Sequence, residues 1–207
     1  MIKKNPWKFY HNNLVVIAFL IASVVSQAQI LNQQQLDTCR VIKSLEEAML
    51  SPLSVYILDL SKKKLQYLPV QISQFENLQV LKLAKNKISE IDTSIVLPKY
   101  IQEINLSKNE LKNFPLALST LKHLRTLILN QNMIENIPDQ IENLNELKYL
   151  DMWSNNLSKI SENIKLLTKL EELDLRVIIL SSKEKKRIEN LLPNTKVHFS
   201  NSCNCGY

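Results

Sequence analysis

Residues 78–88 read LQVLKLAKNKI, and 23 residues later residues 101–111 read IQEINLSKNEL. The same frame returns as LRTLILNQNMI at 124–134 and as LKYLDMWSNNL at 147–157. Each stretch has aliphatic side chains at its first, fourth, sixth and eleventh positions and an Asn at the ninth: Asn86, Asn109, Asn132 and Asn155. Flanking copies begin at Val55 and Leu170 and keep the aliphatic frame, with Lys63 and Ile178 where the Asn would stand. All twenty-four aliphatic positions of the six copies are Leu, Ile, Val or Met. A period held over that length marks an array of stacked units.

The fourth and sixth positions alternate with polar ones, the pattern of a short strand with one buried face. The Asn falls where the chain leaves that strand. Its amide both donates and accepts, so it can satisfy backbone groups at a bend between stacked coils. A terminal copy lacks one neighbour, which fits the loss of the Asn at Lys63 and Ile178. The second half of each copy is looser: Leu68-Pro69, Phe114-Pro115 and Ile137-Pro138 recur, followed by Ile72, Leu118 and Ile141. Here the spacing predicts a short irregular helical turn running back behind the strand. No single copy can bury both halves, so neighbours must stack.

This arrangement resembles the leucine-rich-repeat family in its LxxLxLxxNxL form, over Val55 to Leu180. The resemblance implies an α/β solenoid, a right-handed arc with a parallel sheet on its concave side. It also implies an interaction scaffold rather than an enzyme. The expected organisation is a signal peptide at 1–28, an N-terminal helical cap at 29–54, six repeats at 55–180 and a C-terminal cap at 181–207. In the first cap Val41, Ile42, Leu45, Ala48 and Met49 share one helical face, and Pro52 closes it. In the second, Ser181 with Glu184 forms a capping box, Ile188, Leu191 and Leu192 form an apolar stripe, and Val197 and Phe199 suggest an edge strand.

Lys3, Lys4 and Lys8 precede the apolar run LVVIAFLIASVV at 14–25, followed by Ser26-Gln27-Ala28. A basic start, a short apolar run and a small-x-small site read as a secretory signal peptide. The run is shorter than the roughly 20 residues of a spanning helix, so cleavage after Ala28 is expected and no stable membrane span after it. Cys39 is the first cysteine, so no lipid-modified Cys is expected at that cleavage site. The localisation expected is secreted, periplasmic or extracellular.

The whole chain carries a net charge of +6. Removing three lysines with residues 1–28 leaves roughly +3, too little to argue for nucleic acid. The runs at 62–64 and 183–187 read as solvated faces. Glycine-rich phosphate loops are excluded, because the one glycine is Gly206. Three cysteines leave at least one unpaired. A Cys203–Cys205 bridge would close a strained loop. Cys39 and Cys203 sit at opposite ends of a stack about 24 Å long, beyond the roughly 7 Å that a disulfide spans. No metal-ligand spacing or Ser-His-Asp pairing appears, and no cofactor is expected.

The positions between the buried aliphatics project from the concave sheet. Ile57, Val80, Glu103, Thr126, Tyr149 and Glu172 form the third column and Asp59, Lys82, Asn105, Ile128, Asp151 and Asp174 the fifth. Tyr149 and Trp153 stand out, because large aromatics on an exposed strand face are costly unless used. Tyr, Trp and Arg also dominate binding hot spots. The candidate partner-binding residues are Ile128, Asn130, Met133, Tyr149, Asp151, Trp153, Asp174 and Arg176. The expected partner is a protein. The other readings are an envelope adhesin or glycan-binding structural protein, a host-directed effector, and an enzyme using Asp151 and Asp174 as acid and base.

Overall fold

The computed structural model describes residues 29–200. Residues 1–28, read above as a signal peptide, and the Cys203–Cys205 pair lie outside the described residues. Each copy contributes one three-residue strand: β2 Ile57–Asp59, β3 Val80–Lys82, β4 Glu103–Asn105, β5 Thr126–Ile128, β7 Tyr149–Asp151 and β9 Glu172–Asp174. Val41–Ile42 (β1) and Lys196–His198 (β10) add one strand at each end. The result is an eight-stranded parallel sheet in the order β1-β2-β3-β4-β5-β7-β9-β10. Register advances by one period per strand, so Ile57, Val80, Glu103, Thr126, Tyr149 and Glu172 lie side by side. This is the leucine-rich-repeat solenoid arc.

Apolar burial holds the stack together. The first, fourth and sixth positions of every copy are buried, as are Ile88, Leu111, Ile134 and Leu157 at the eleventh. Leu65 and Leu180, at the ends, are only partly covered. Behind the sheet, Pro69, Pro115 and Pro138 precede 3-10 turns at Val70–Gln74, Leu116–Thr120 and Asp139–Asn143. The pyrrolidine ring presets φ for the approach. Each turn buries a large aliphatic, Ile72, Leu118 and Ile141, and the second buries Ala117 as well. In the fifth copy Ser161 takes the proline's place, its Oγ accepting from the Asn163 amide at 3.1 Å, before the turn Glu162–Leu166. A minor two-stranded sheet, β6 Asn136–Ile137 with β8 Lys159–Ile160, flanks these turns.

The Asn ladder acts in one direction. Asn109 Oδ1 accepts from the Ile88 amide at 3.0 Å, and its Nδ2 donates to the carbonyls of Leu83 (3.0 Å) and Leu106 (2.9 Å). Asn86, Asn132 and Asn155 repeat the pattern, each bonding back to the coil before it. The first repeat has no earlier repeat to serve, which accounts for Lys63. The missing-neighbour reason does not extend to Ile178, since a coil does precede it. Ile178 is instead buried as one more core residue.

Every bend also needs a left-handed residue at the eighth position: Lys62, Lys85, Lys108, Gln131, Ser154 and Val177 have φ between 53° and 61°. Glycine suits such a site, and a side chain there costs about 1–2 kcal/mol. With no glycine available, the bends are held by their neighbours' hydrogen bonds, such as Lys85 N to Ser107 O at 2.9 Å.

The caps differ in part from the sequence reading. Val41 and Ile42 form β1 rather than helix, because β2 offers a free edge to pair with. The helix that follows, α2, spans Leu45–Leu50, capped by Ser44 Oγ accepting from the Glu47 amide at 3.1 Å. An unforeseen helix, α1 at Gln33–Thr38, is closed by an Asn32–Gln35 capping box. At the far end α3 spans Ser182–Leu191. Only half of the expected box forms there: Ser181 Oγ accepts from the Glu184 amide, while the Glu184 carboxylate pairs with Arg187 at 2.6 Å.

Candidate functional site

The two faces of the sheet carry separate apolar clusters. The main core lies on one face, while Leu36, Ile57 and Val80 form a second cluster on the other. Leu36 belongs to α1, so the N-terminal segment crosses the concave face. Gln79 and Gln102, second residues of the second and third copies, tether it there. Gln79 Nε2 donates to the Gln29 carbonyl at 2.8 Å and its Oε1 accepts from the Leu31 amide at 2.9 Å. Gln102 Nε2 donates to the Leu31 carbonyl at 2.8 Å and to Gln79 Oε1 at 2.7 Å. Both glutamines are buried. Ile57 and Val80 therefore do not project into solvent as their column suggests; the chain's own arm covers them. Nothing in the polar run Gln33-Gln34-Gln35 announces that docking except the lone Leu36.

The concave face opens over repeats four to six. Ile128, Asp151 and Asp174 are register partners on β5, β7 and β9, and Tyr149 lies between Thr126 and Glu172. Asn130, Trp153 and Arg176 follow at the seventh position. Tyr149 and Trp153 are half-buried, as are Ile128 and Asn130. Met133 is exposed, but it lies beyond the bend in the tenth position, away from the sheet rows. Seven of the eight candidates thus share one patch.

The two aspartates are buried rather than projecting from the sheet as their column suggests. Asp151 Oδ1 accepts from the Trp153 amide at 3.0 Å and Oδ2 from Asn130 Nδ2 at 2.5 Å. Asp174 Oδ1 accepts from the Arg176 amide at 3.0 Å, and its carboxylate takes Arg176 Nε and Nη2 as well. Asp59 and Asn105 cap the Ser61 and Ser107 amides in the same way. In four of the six copies the fifth position thus fastens the bend, a role that an acceptor two residues before an amide could have signalled.

Environment separates the two acids. Burial pushes the Asp151 carboxyl up, and the nearby Asp174 charge adds to this against the pull of the Asn130 and Trp153 hydrogen bonds. Burial also presses Asp174 upward, but the Arg176 bonds outweigh it and hold the group below the ordinary range. Burial, with the negative charges of Asp151, Asp174 and Glu172, raises the Tyr149 phenol.

No group of three metal-ligating side chains occurs among the described residues, and no described helix is long and apolar enough to cross a membrane. A recess of about 440 Å³ lies on the opposite side around Asp139, Ser161, Glu184 and Arg187. Ser161 Oγ bonds Asp139 there. His123 stacks instead on Tyr100, and His198 lies 3.3 Å from Glu172.

Family models described as leucine rich repeat match residues 76–134 and 146–167. The chain is a leucine-rich-repeat protein. No curated protein matches it in sequence. Among solved structures it is similar to a leucine-rich-repeat protein of Leptospira interrogans, at 27% identity and a TM-score of 0.62. That match covers 83% of this chain and 40% of the other. A plant peptide hormone receptor, RGFR1 in complex with RGF2, matches at 20% identity and a TM-score of 0.55, covering 77% of this chain and 30% of the receptor chain. Drosophila Toll, solved as the Toll–Spatzle complex, matches at 21% identity and 0.56, covering 70% and 21%. The chain spans less than half the length of each of these proteins.

Proposed function

We propose that this leucine-rich-repeat protein is an extracytoplasmic recognition scaffold, not an enzyme, that binds a protein ligand through the concave face of repeats four to six. One observation carries the reading. The N-terminal arm covers the concave face over the first repeats, and the open remainder concentrates Tyr149, Trp153, Ile128, Asn130 and the Asp174–Arg176 pair. Half-buried aromatics beside an oriented guanidinium are the anchors that contribute most to protein interfaces. Export is supported by the basic and apolar segment of residues 1–28. The likeness to a peptide hormone receptor solved with RGF2 and to the Toll–Spatzle complex is one of fold, and it supports a protein ligand by analogy.

The test is affinity capture from the native extracellular milieu with wild-type protein and the Tyr149→Ala/Trp153→Ala double variant. A ligand held by the wild type should lose at least about tenfold in affinity, or 1.4 kcal/mol, on the variant. Equal binding by a folded variant would remove the patch.

A further inference from the structure

Exposed lysines of the first three repeats form two columns on neighbouring coils. Lys62, Lys85 and Lys108 hold the eighth position of successive copies, and Lys64 and Lys87 the tenth of the first two. Backbone bonds stack them: the Lys62 amide donates to the Ala84 carbonyl at 2.9 Å, Lys85 to Ser107 at 2.9 Å and Lys87 to Leu65 at 2.8 Å. Successive backbones in a column are then about 5 Å apart. None of the five enters an ion pair among the described residues. The acids nearest in sequence are Asp59, whose Oδ1 is taken by the Ser61 amide, the exposed Glu90 three residues past Lys87, and Glu110, which holds the tenth position of the third copy.

Four of these lysines sit in the left-handed region: Lys62 at φ 61°, Lys64 at 59°, Lys85 at 60° and Lys108 at 57°. Side chains are disfavoured there, and the few non-glycine residues enriched in that region are Asn, Asp and His rather than Lys. The later copies fill the eighth position with Gln131, Ser154 and Val177, so the bend itself does not require lysine. Like charges this close repel, so folding stability does not require them either. Strained residues cluster where a function retains them.

The side chains beside the lysines are small: Ser61, Ala84 and Ser107 at the seventh position. Among the described residues, the lysines seated over aromatic rings are Lys99 and Lys185, outside this rim. The exposed ring nearest in sequence is Tyr67, three residues past Lys64 and replaced by Glu90 and Asn113 in the next two copies, so the rim carries no repeating series of apolar anchors or stacking rings. What it offers is a regular row of point charges, which binds a dense polyanion by releasing counterions. We propose that this rim binds a linear acidic polysaccharide, its sulfates or carboxylates aligned along the solenoid axis, at a site separate from the concave patch.

The test uses the full chain with heparin, polygalacturonate and a duplex DNA as probes, titrated across salt. The Lys62→Gly/Lys85→Gly/Lys108→Gly variant removes three charges and relaxes three left-handed positions, so its fold is retained. Affinity for a polysaccharide should fall at least about tenfold and the log–log salt slope should become shallower by roughly 2. A Lys159→Gln/Lys165→Gln/Lys183→Gln control should bind as wild type. Preference between heparin and polygalacturonate assigns the anion as sulfate or carboxylate. No binding of either polysaccharide by the wild type, an unchanged glycine variant, an equal loss in the control, or tighter lysine-dependent binding of the DNA would each overturn the proposal.

Discussion

Asp151 and Asp174 face each other across neighbouring strands, yet Asp151 is fastened by neutral donors and Asp174 by a guanidinium. Their protonation therefore affects stability in opposite senses. Asp151 has a folded pKa above its ordinary 3.8. The folded state holds that proton more tightly than the unfolded chain, so acidification from neutrality through the raised value adds stability. Asp174 has a folded pKa below 3.8. Its contribution is present above 3.8 and is lost as pH falls through the lower folded value. Urea unfolding from pH 7 downward should show the Asp151 gain in the wild type and not in Asp151→Asn. An identical profile for the two proteins would show that the Asp151 environment has been misread.

The Asn ladder should carry stability across coils. Asn109→Ala removes one acceptor and the donors to the Leu83 and Leu106 carbonyls, all in a buried setting. A loss of about 3 kcal/mol is expected, because the freed backbone groups have no water to turn to. Since each repeat is stabilised by its neighbours, the variant should also broaden the denaturation curve. Asn155→Ala should behave alike, whereas Lys63→Ala should change little.

Relief of backbone strain should stabilise the protein. Val177 is β-branched, exposed and held at φ 60°. Its amide bond to Ser200 Oγ, 2.6 Å long, survives replacement. Val177→Gly should add about 1 kcal/mol, the left-handed penalty less the added chain entropy. A drop in melting temperature would contradict this.

The docked arm should be separable from the solenoid. Leu36→Asp places a charge against Ile57 and Val80 and forfeits the roughly 1.5–3 kcal/mol gained by burying a leucine. Hydrogen exchange at the Leu31 amide, now accepted by Gln79 Oε1, should accelerate while the strand amides of β5 and β7 stay protected. Limited proteolysis should then cut within residues 29–38. Uniform loss of protection would mean that the arm is part of the core.

Stacking, strand positions, the buried aliphatic columns and the proline-led turns were all legible in the chain, since each depends on residues a few positions apart and repeats every 23. Tyr149 and Trp153 could be assigned to the sheet face for the same reason. Other features required the fold. The bonds from Gln79 and Gln102 to the arm join residues 48 to 71 apart in sequence, and a two-residue strand such as Val41–Ile42 exists because a neighbour's edge completes its hydrogen bonds. Likewise, the burial of Asp151 and Asp174 and the grouping of Lys62, Lys85 and Lys108 arise only when coils one period apart are brought side by side. Local periodicity is written in adjacent residues; which faces end up covered, and by what, is a property of distant residues meeting.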